Sequence, residues 1–210
     1  MGVIEALRTL RSGAMRGLGV GPIELIRARM WTGTPGDRVA EISEMLVALE
    51  VTRRTGWRLL TSRAADKSKM DWVFMLGEAI CGVQVKGSTF TGGRSPSWAF
   101  NTFDPSKGLN KELFALPNFL FAMVLFECDS GTFHSNVALS DIQWRILMVP
   151  GSSVIKYFEG DESHSPKSKT NHNITIGLDA LEKGKHEWWM GESAGDIEGM
   201  FAGERVRPGS

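Results

Sequence analysis

The chain has 210 residues, 42% of them hydrophobic, which is enough for one full core and excludes a string of domains. Lys and Arg number 24 against 24 Asp and Glu, so the overall charge announces no polyanionic partner and leaves any such role to a local patch. Cys81 and Cys128 both lie in apolar runs and read as buried reduced thiols, and no Cys/His spacing supplies four zinc ligands.

In chain order, residues 1–33 predict an N-terminal helical arm broken by "GLGVGP". Arg8, Arg11, Arg16, Arg27 and Arg29 make it basic, which suits a solvated face, a phosphate-neutralising patch or a dimer arm. No signal-peptide layout is present. The longest apolar run, Phe114 to Phe126, is too short to span a bilayer and is broken by Pro117 and Asn118, so a soluble cytoplasmic protein is expected. Residues 34–190 read as the main domain. Its first helix follows Thr34, Pro35 and Asp37 and stops at Gly56, with Val39, Ile42, Leu46 and Leu49 in one apolar stripe. On that phase Glu44 is solvated, and Glu41 lies at the stripe's edge, able to reach along whatever the helix covers.

A short strand, "WRLLT", and a polar linker lead to "DWVFML" and "AICGVQVK", two β-prone runs joined by Gly77 and Glu78. A Gly at the first turn position suits a two-residue hairpin. In that register Asp71 lies opposite Gln84 on one sheet face, and Lys86 shares the face. A turn one or two residues longer puts Asp71 opposite Val85 or Lys86 instead. A Gly/Ser-rich loop with a short strand at Trp98–Phe100 follows; these two aromatics read as core rather than as a base-stacking platform. "FLFAMVLFE" reads as a strand buried on both faces. "FHSNVALSDIQWRILMVP" reads as a strand followed by a helix capped by Ser140. After a polar loop, "ITIGL" reads as a last strand and "DALEKGKHEWWM" as a last helix. Residues 191–210, Gly-rich and acidic, read as a flexible tail with little to bury. Together these predict an α/β (α+β) domain, a mixed sheet with helices packed on it.

The gathered acid, amide and amine suit phosphodiester hydrolysis. Mg²⁺ prefers hard oxygen ligands, and Asp71, the Gln84 amide oxygen and the Val85 main-chain carbonyl offer three. Lys86 can orient a water or neutralise charge developing on phosphate, and Glu41 is the candidate second carboxylate. The bland alternatives are a Lys86 that snorkels to solvent and a Glu41 that holds a salt bridge. Lys67, Lys69 and Arg94 are candidate phosphate contacts, the two lysines reading otherwise as a solvated turn. The four histidines do not cluster.

This order of helix with Glu41, strand, Asp71 hairpin, "QVK" and apolar strand resembles the PD-(D/E)XK nuclease superfamily, over about residues 36 to 150. "GVQVKGS" is similar to a poorly characterised bacterial group with a QVK signature, Gln84 standing in the usually acidic slot and Met70 where a Pro often precedes the Asp. The resemblance implies a restriction-endonuclease-like fold and a Mg²⁺- or Mn²⁺-dependent endonuclease leaving 5′-phosphate and 3′-hydroxyl ends. It implies DNA as substrate, with RNA not excluded, a homodimer where both strands are cut, and roles in restriction, phage defence or DNA repair. A module that binds nucleic acid without cutting is the second reading, motivated by the neutral Gln84.

Overall fold

The computed structural model describes residues 35–60, 70–91, 95–101, 110–134, 139–159, 173–183 and 194–202. The helical arm expected at 1–33 lies outside them. The described chain runs α1 (Pro35–Arg54), β1 (Arg58–Leu60), β2 (Trp72–Leu76), β3 (Ala79–Phe90), β4 (Ser97–Asn101), α2 (Lys111–Phe114), β5 (Phe119–Asp129), β6 (Trp144–Pro150), α3 (Gly151–Glu159), β7 (Asn173–Gly177), α4 (Leu178–Glu182) and α5 (Ile197–Ala202), with 3₁₀ turns at Ser130–His134 and Leu139–Asp141. It is a mixed α+β sheet structure, as the sequence predicts at that level. The described strands form one seven-stranded sheet. β3 and β5 are parallel, and the other pairs are antiparallel. No helix among the described residues is long and apolar enough to cross a membrane.

The hairpin forms in the favoured register. Gly77 sits at φ 59° in the first turn position, a conformation that suits Gly, and Leu76 pairs with Ala79. The ladder runs back to Trp72 opposite Val83. β3 is long enough to carry two neighbours in succession on one edge. β2 occupies it along Ala79–Val83 and β4 joins at Phe90, while β5 takes the opposite edge.

The sheet separates two cores. Val83 and Val85 face one side with Trp72, Phe74, Trp57 and the apolar residues of α1 and α5. Trp98, Phe100, Phe114, Phe119 and Phe121 fill the other, under α2 and α3. Alternate residues of β5 enter each, which is why its sequence is continuously apolar. Trp98 is fully buried and donates Nε1–H to the Phe126 carbonyl at 2.9 Å, a core role as expected. Cys81 is buried, which pushes its thiol up to about 12, and Cys128 is half-buried; both are free.

Four sequence expectations are corrected. The strand and helix read into "FHSNVALSDIQWRILMVP" are instead 3₁₀ turns followed by β6, because Trp144–Pro150 pairs along one edge of β5 from Leu120 to Phe126. A helix not foreseen, α3, starts immediately afterwards at Gly151. The tail beyond Gly191 is not without burial: Gly195 bridges to Met148, and Ile197 and Phe201 of α5 are core residues. On α1 the two acids are reversed, with Glu41 exposed and Glu44 half-buried. Val39 and Ser43 are the residues that meet β3 at Gly87, and Glu41 lies about 200° round the helix from each. Burial further along α1 extends beyond the expected stripe to Met45, Val47, Ala48 and Val51.

Gly87 is what lets α1 come so close. An added Cβ would overlap Ser43 Oγ and approach Ser43 Cβ and Val39 Cγ1 to 3.0 Å. Ser43 is fixed on a helix and hydrogen-bonded to the Val39 carbonyl at 2.6 Å, so it has little room to yield. Gly87→Ala should therefore cost about 1–3 kcal/mol in urea unfolding. Adding Ser43→Ala, which removes the overlapped oxygen, should recover part of that loss.

Candidate functional site

β2 begins at Trp72, opposite Val83, and β4 joins β3 only at Phe90, so the strands part along Gln84–Thr89. Side-chain oxygens take over the backbone bonds in this notch. The Asp71 carboxylate accepts the Val85 N–H at 2.6 Å, and Asp71 N–H donates to the Val83 carbonyl at 3.0 Å. At the far end Ser88 Oγ accepts the Ala99 N–H at 3.2 Å and donates to the Thr89 carbonyl at 3.1 Å. The paired ladder thus stops one step short of Asp71 and Gln84, and the carboxylate itself completes the contact.

Strand alternation sorts the side chains. Val83 and Val85 point into the α1 core, so Gln84 and Lys86 project from the opposite face, beside Phe121 and Met123 of β5. Asp71 precedes Trp72, which belongs to the α1 side, and its half-buried carboxyl lies within electrostatic reach of Lys86. Burial pushes the Asp71 carboxyl above its ordinary value, against the opposing pull of the Val85 N–H and the Lys86 ammonium. Lys86 is half-buried. Gln84 is only 7% exposed, and its Oε1 is buried with no hydrogen-bond partner. An orphaned buried carbonyl oxygen costs about 1–3 kcal/mol, so its retention calls for an explanation.

Three of the expected residues, Asp71, Gln84 and Lys86, thus gather at the notch. The Val85 carbonyl joins them by geometry, since a strand residue's N–H and C=O leave on one edge and its N–H meets Asp71. Glu41 does not join: it is exposed on the outward side of α1, which covers the other face of the sheet. Lys67, Lys69 and Arg94 lie outside the described residues. Among the described residues no group of three His, Cys, Asp or Glu side chains is placed to hold a metal. The oxygen set available is one carboxylate, one amide and one main-chain carbonyl, which suits a hard, partly hydrated dication rather than zinc. The orphaned Gln84 oxygen fits such an ion, which would give it a partner, and the half-buried Asp71 carboxylate beside it is an anionic oxygen donor.

Sequence reasoning gives no role to Met70, Trp72 and Gly82, which frame Asp71. Trp72 donates Nε1–H to the Glu44 carbonyl of α1 at 2.9 Å, and Met70 lies over Gly82. A glycine inside a strand is the available signal, since it marks a close approach. Comparison of the chain with protein-family models, with curated proteins and with solved structures finds no match.

Proposed function

We propose that the protein is a divalent-metal-dependent endonuclease acting on DNA, with a restriction-endonuclease-like arrangement of helix, strand, Asp-bearing hairpin and parallel apolar strand. The observation that carries this reading is the meeting of Asp71, Lys86 and the orphaned Gln84 Oε1 where β2 and β4 part from β3. Asp71, Gln84 and the Val85 carbonyl would hold Mg²⁺ or Mn²⁺. When bound, the ion would polarise the phosphate and lower the pKa of a water. The protein's own groups do the rest. Asp71 is held by the Val85 N–H, so its carboxylate is oriented before any ligand arrives. The apolar wall of Phe121 and Met123 keeps Lys86 and Gln84 in a low-dielectric setting, where an ammonium counters phosphate charge more strongly than in water. Lys86 would orient the attacking water and offset charge developing on the phosphate oxygens. Cutting both strands would use two such sites, hence a homodimer, in restriction, phage defence or DNA repair.

The exposed Glu41 favours a second reading. With one carboxylate at the notch among the described residues, the fold would bind nucleic acid without cutting it. Incubation of the full chain with duplex, single-stranded and branched DNA, and with RNA, separates the two when run with Mg²⁺, with Mn²⁺ and with chelator. The nuclease reading expects metal-dependent cutting of DNA that leaves 5′-phosphates, and a loss of about 10²–10³-fold in rate for Lys86→Ala. DNA binding with no cutting in either metal selects the second reading. Neither binding nor cutting rejects both.

A further inference from the structure

Asp71 stands just before β2 begins, yet strand termini fray, and a group that must meet a ligand needs to be held. Its two neighbours are fastened on opposite faces of the sheet. Trp72 is 5% exposed in the α1 core, and its Nε1–H reaches the Glu44 carbonyl. Met70 goes the other way. A Cβ on Gly82 would run into Met70 Sδ and come within 3.5 Å of Met70 Cγ and 3.4 Å of Phe119 Cδ2. The Met70 thioether therefore occupies the space that a side chain at residue 82 would fill. Gly82 is itself fixed, its N–H donating to the Asn118 carbonyl at 2.9 Å. Gly82 lies two residues before Gln84 on the same strand, so the seat is part of the strand that carries the site.

We propose that Met70, seated in the socket left open by Gly82, is a positioning residue that holds the Asp71 carboxylate against the Val85 N–H. The role in cleavage rests on the nuclease reading; the positioning itself does not. Met70 acts through Asp71 and not on a substrate. It limits the angular freedom of the residue next to it, and a misplacement of about 1 Å at such a site can cost as much as 100-fold in rate.

Gly82→Ala tests this without threatening the fold, because the atom displaced belongs to a flexible side chain and Ala suits a strand interior better than Gly. Native-state hydrogen exchange on the free protein reads the effect. The Val85 amide, protected by the Asp71 carboxylate, should exchange about tenfold faster in Gly82→Ala, while the Phe74 and Cys81 amides further along the hairpin keep their wild-type rates. Met70→Ala should produce the same local change, and Met70→Leu, which refills the seat, should restore protection. The Met70→Ala/Gly82→Ala double variant should be no worse than Met70→Ala, since each change removes the same contact, one by truncating Met70 and the other by filling its socket. Where wild type cuts DNA, Gly82→Ala should lose about ten- to a hundredfold in kcat with KM little changed. Unchanged Val85 protection in both single variants would overturn the proposal, as would loss spread evenly over the hairpin. Faster Val85 exchange in a protein that cuts nothing would uphold the positioning role and remove only the nuclease reading.

Discussion

On the nuclease reading Asp71→Asn should abolish cleavage, and on any reading it should make the protein more stable than wild type in metal-free buffer near neutral pH. The activity loss follows from the site, where Asp71 is the one carboxylate that the fold brings to the notch among the described residues. Asn keeps the shape and can still accept the Val85 N–H, so geometry is retained while charge is removed. Loss of a preorganised charged group at a phosphoryl centre is expected to cost about 10³-fold or more. The stability gain follows from burial. Desolvation raises the Asp71 carboxyl above its unfolded value, which is about 4, more than the Val85 N–H and Lys86 lower it. The folded chain therefore binds the proton more tightly than the unfolded chain does. The contribution of Asp71 to stability is fullest below the unfolded value and is lost as pH rises through the folded value. Asn has no proton to lose. In urea titrations at successive pH values the gap between variant and wild type should open with rising pH across the carboxylate range, then level off. On the nuclease reading Mg²⁺ should close the gap by stabilising wild type alone, through preferential binding to the folded state. Equal pH dependence in the two proteins, with no metal effect on either, would remove Asp71 as a strained ligand.

The legible and illegible parts of this chain divide by the range of the forces involved. The hairpin is readable because Gly77 demands a turn and alternation does the rest, which carries Asp71, Gln84 and Lys86 to one place without tertiary information. β5 is readable because two cores bury both of its faces. Glu41 is misplaced by the sequence pattern because helical phase alone does not say which side of an apolar stripe meets the sheet; Gly87, by admitting Ser43, decides it. The "WRILMVP" run is too short for periodicity to separate strand from helix, and only its pairing with β5 settles the matter. Orphaning of the Gln84 oxygen is likewise a tertiary fact. Gln at that position announces an amide, but its isolation depends on β5 and the apolar core beside it.

The C-terminal helix is the clearest case of tertiary override, and it yields the largest expected loss of stability. Phe201→Ala should destabilise the protein by about 3–5 kcal/mol, the usual cost of removing a buried phenyl ring. Phe201 meets Trp57 edge-on at 5.3 Å and Phe74 at 5.6 Å, and its own carbonyl accepts the Trp57 Nε1–H at 3.1 Å. Polar contacts guide the same docking. Glu50 of α1 binds both Arg53 and Arg54, and Arg54 reaches on to Glu198 of α5 at 3.2 Å. Burial alone would raise the Glu50 carboxyl, but the two guanidiniums hold it below its ordinary value. The Arg54–Glu198 arm is largely solvent-exposed, so its share should be small and salt-sensitive. Burial of the phenyl ring outweighs it, and Glu198→Gln should cost far less than Phe201→Ala. Two amides report on undocking, since Met148 N–H and Gly195 N–H exchange bonds with each other's carbonyls at 2.9 and 3.0 Å. Hydrogen exchange at both should accelerate in Phe201→Ala before the Val85 amide is affected, because α5 and the notch lie on different elements. Simultaneous loss of protection at Met148, Gly195 and Val85 would instead mean that α5 holds the whole sheet together, and the site with it.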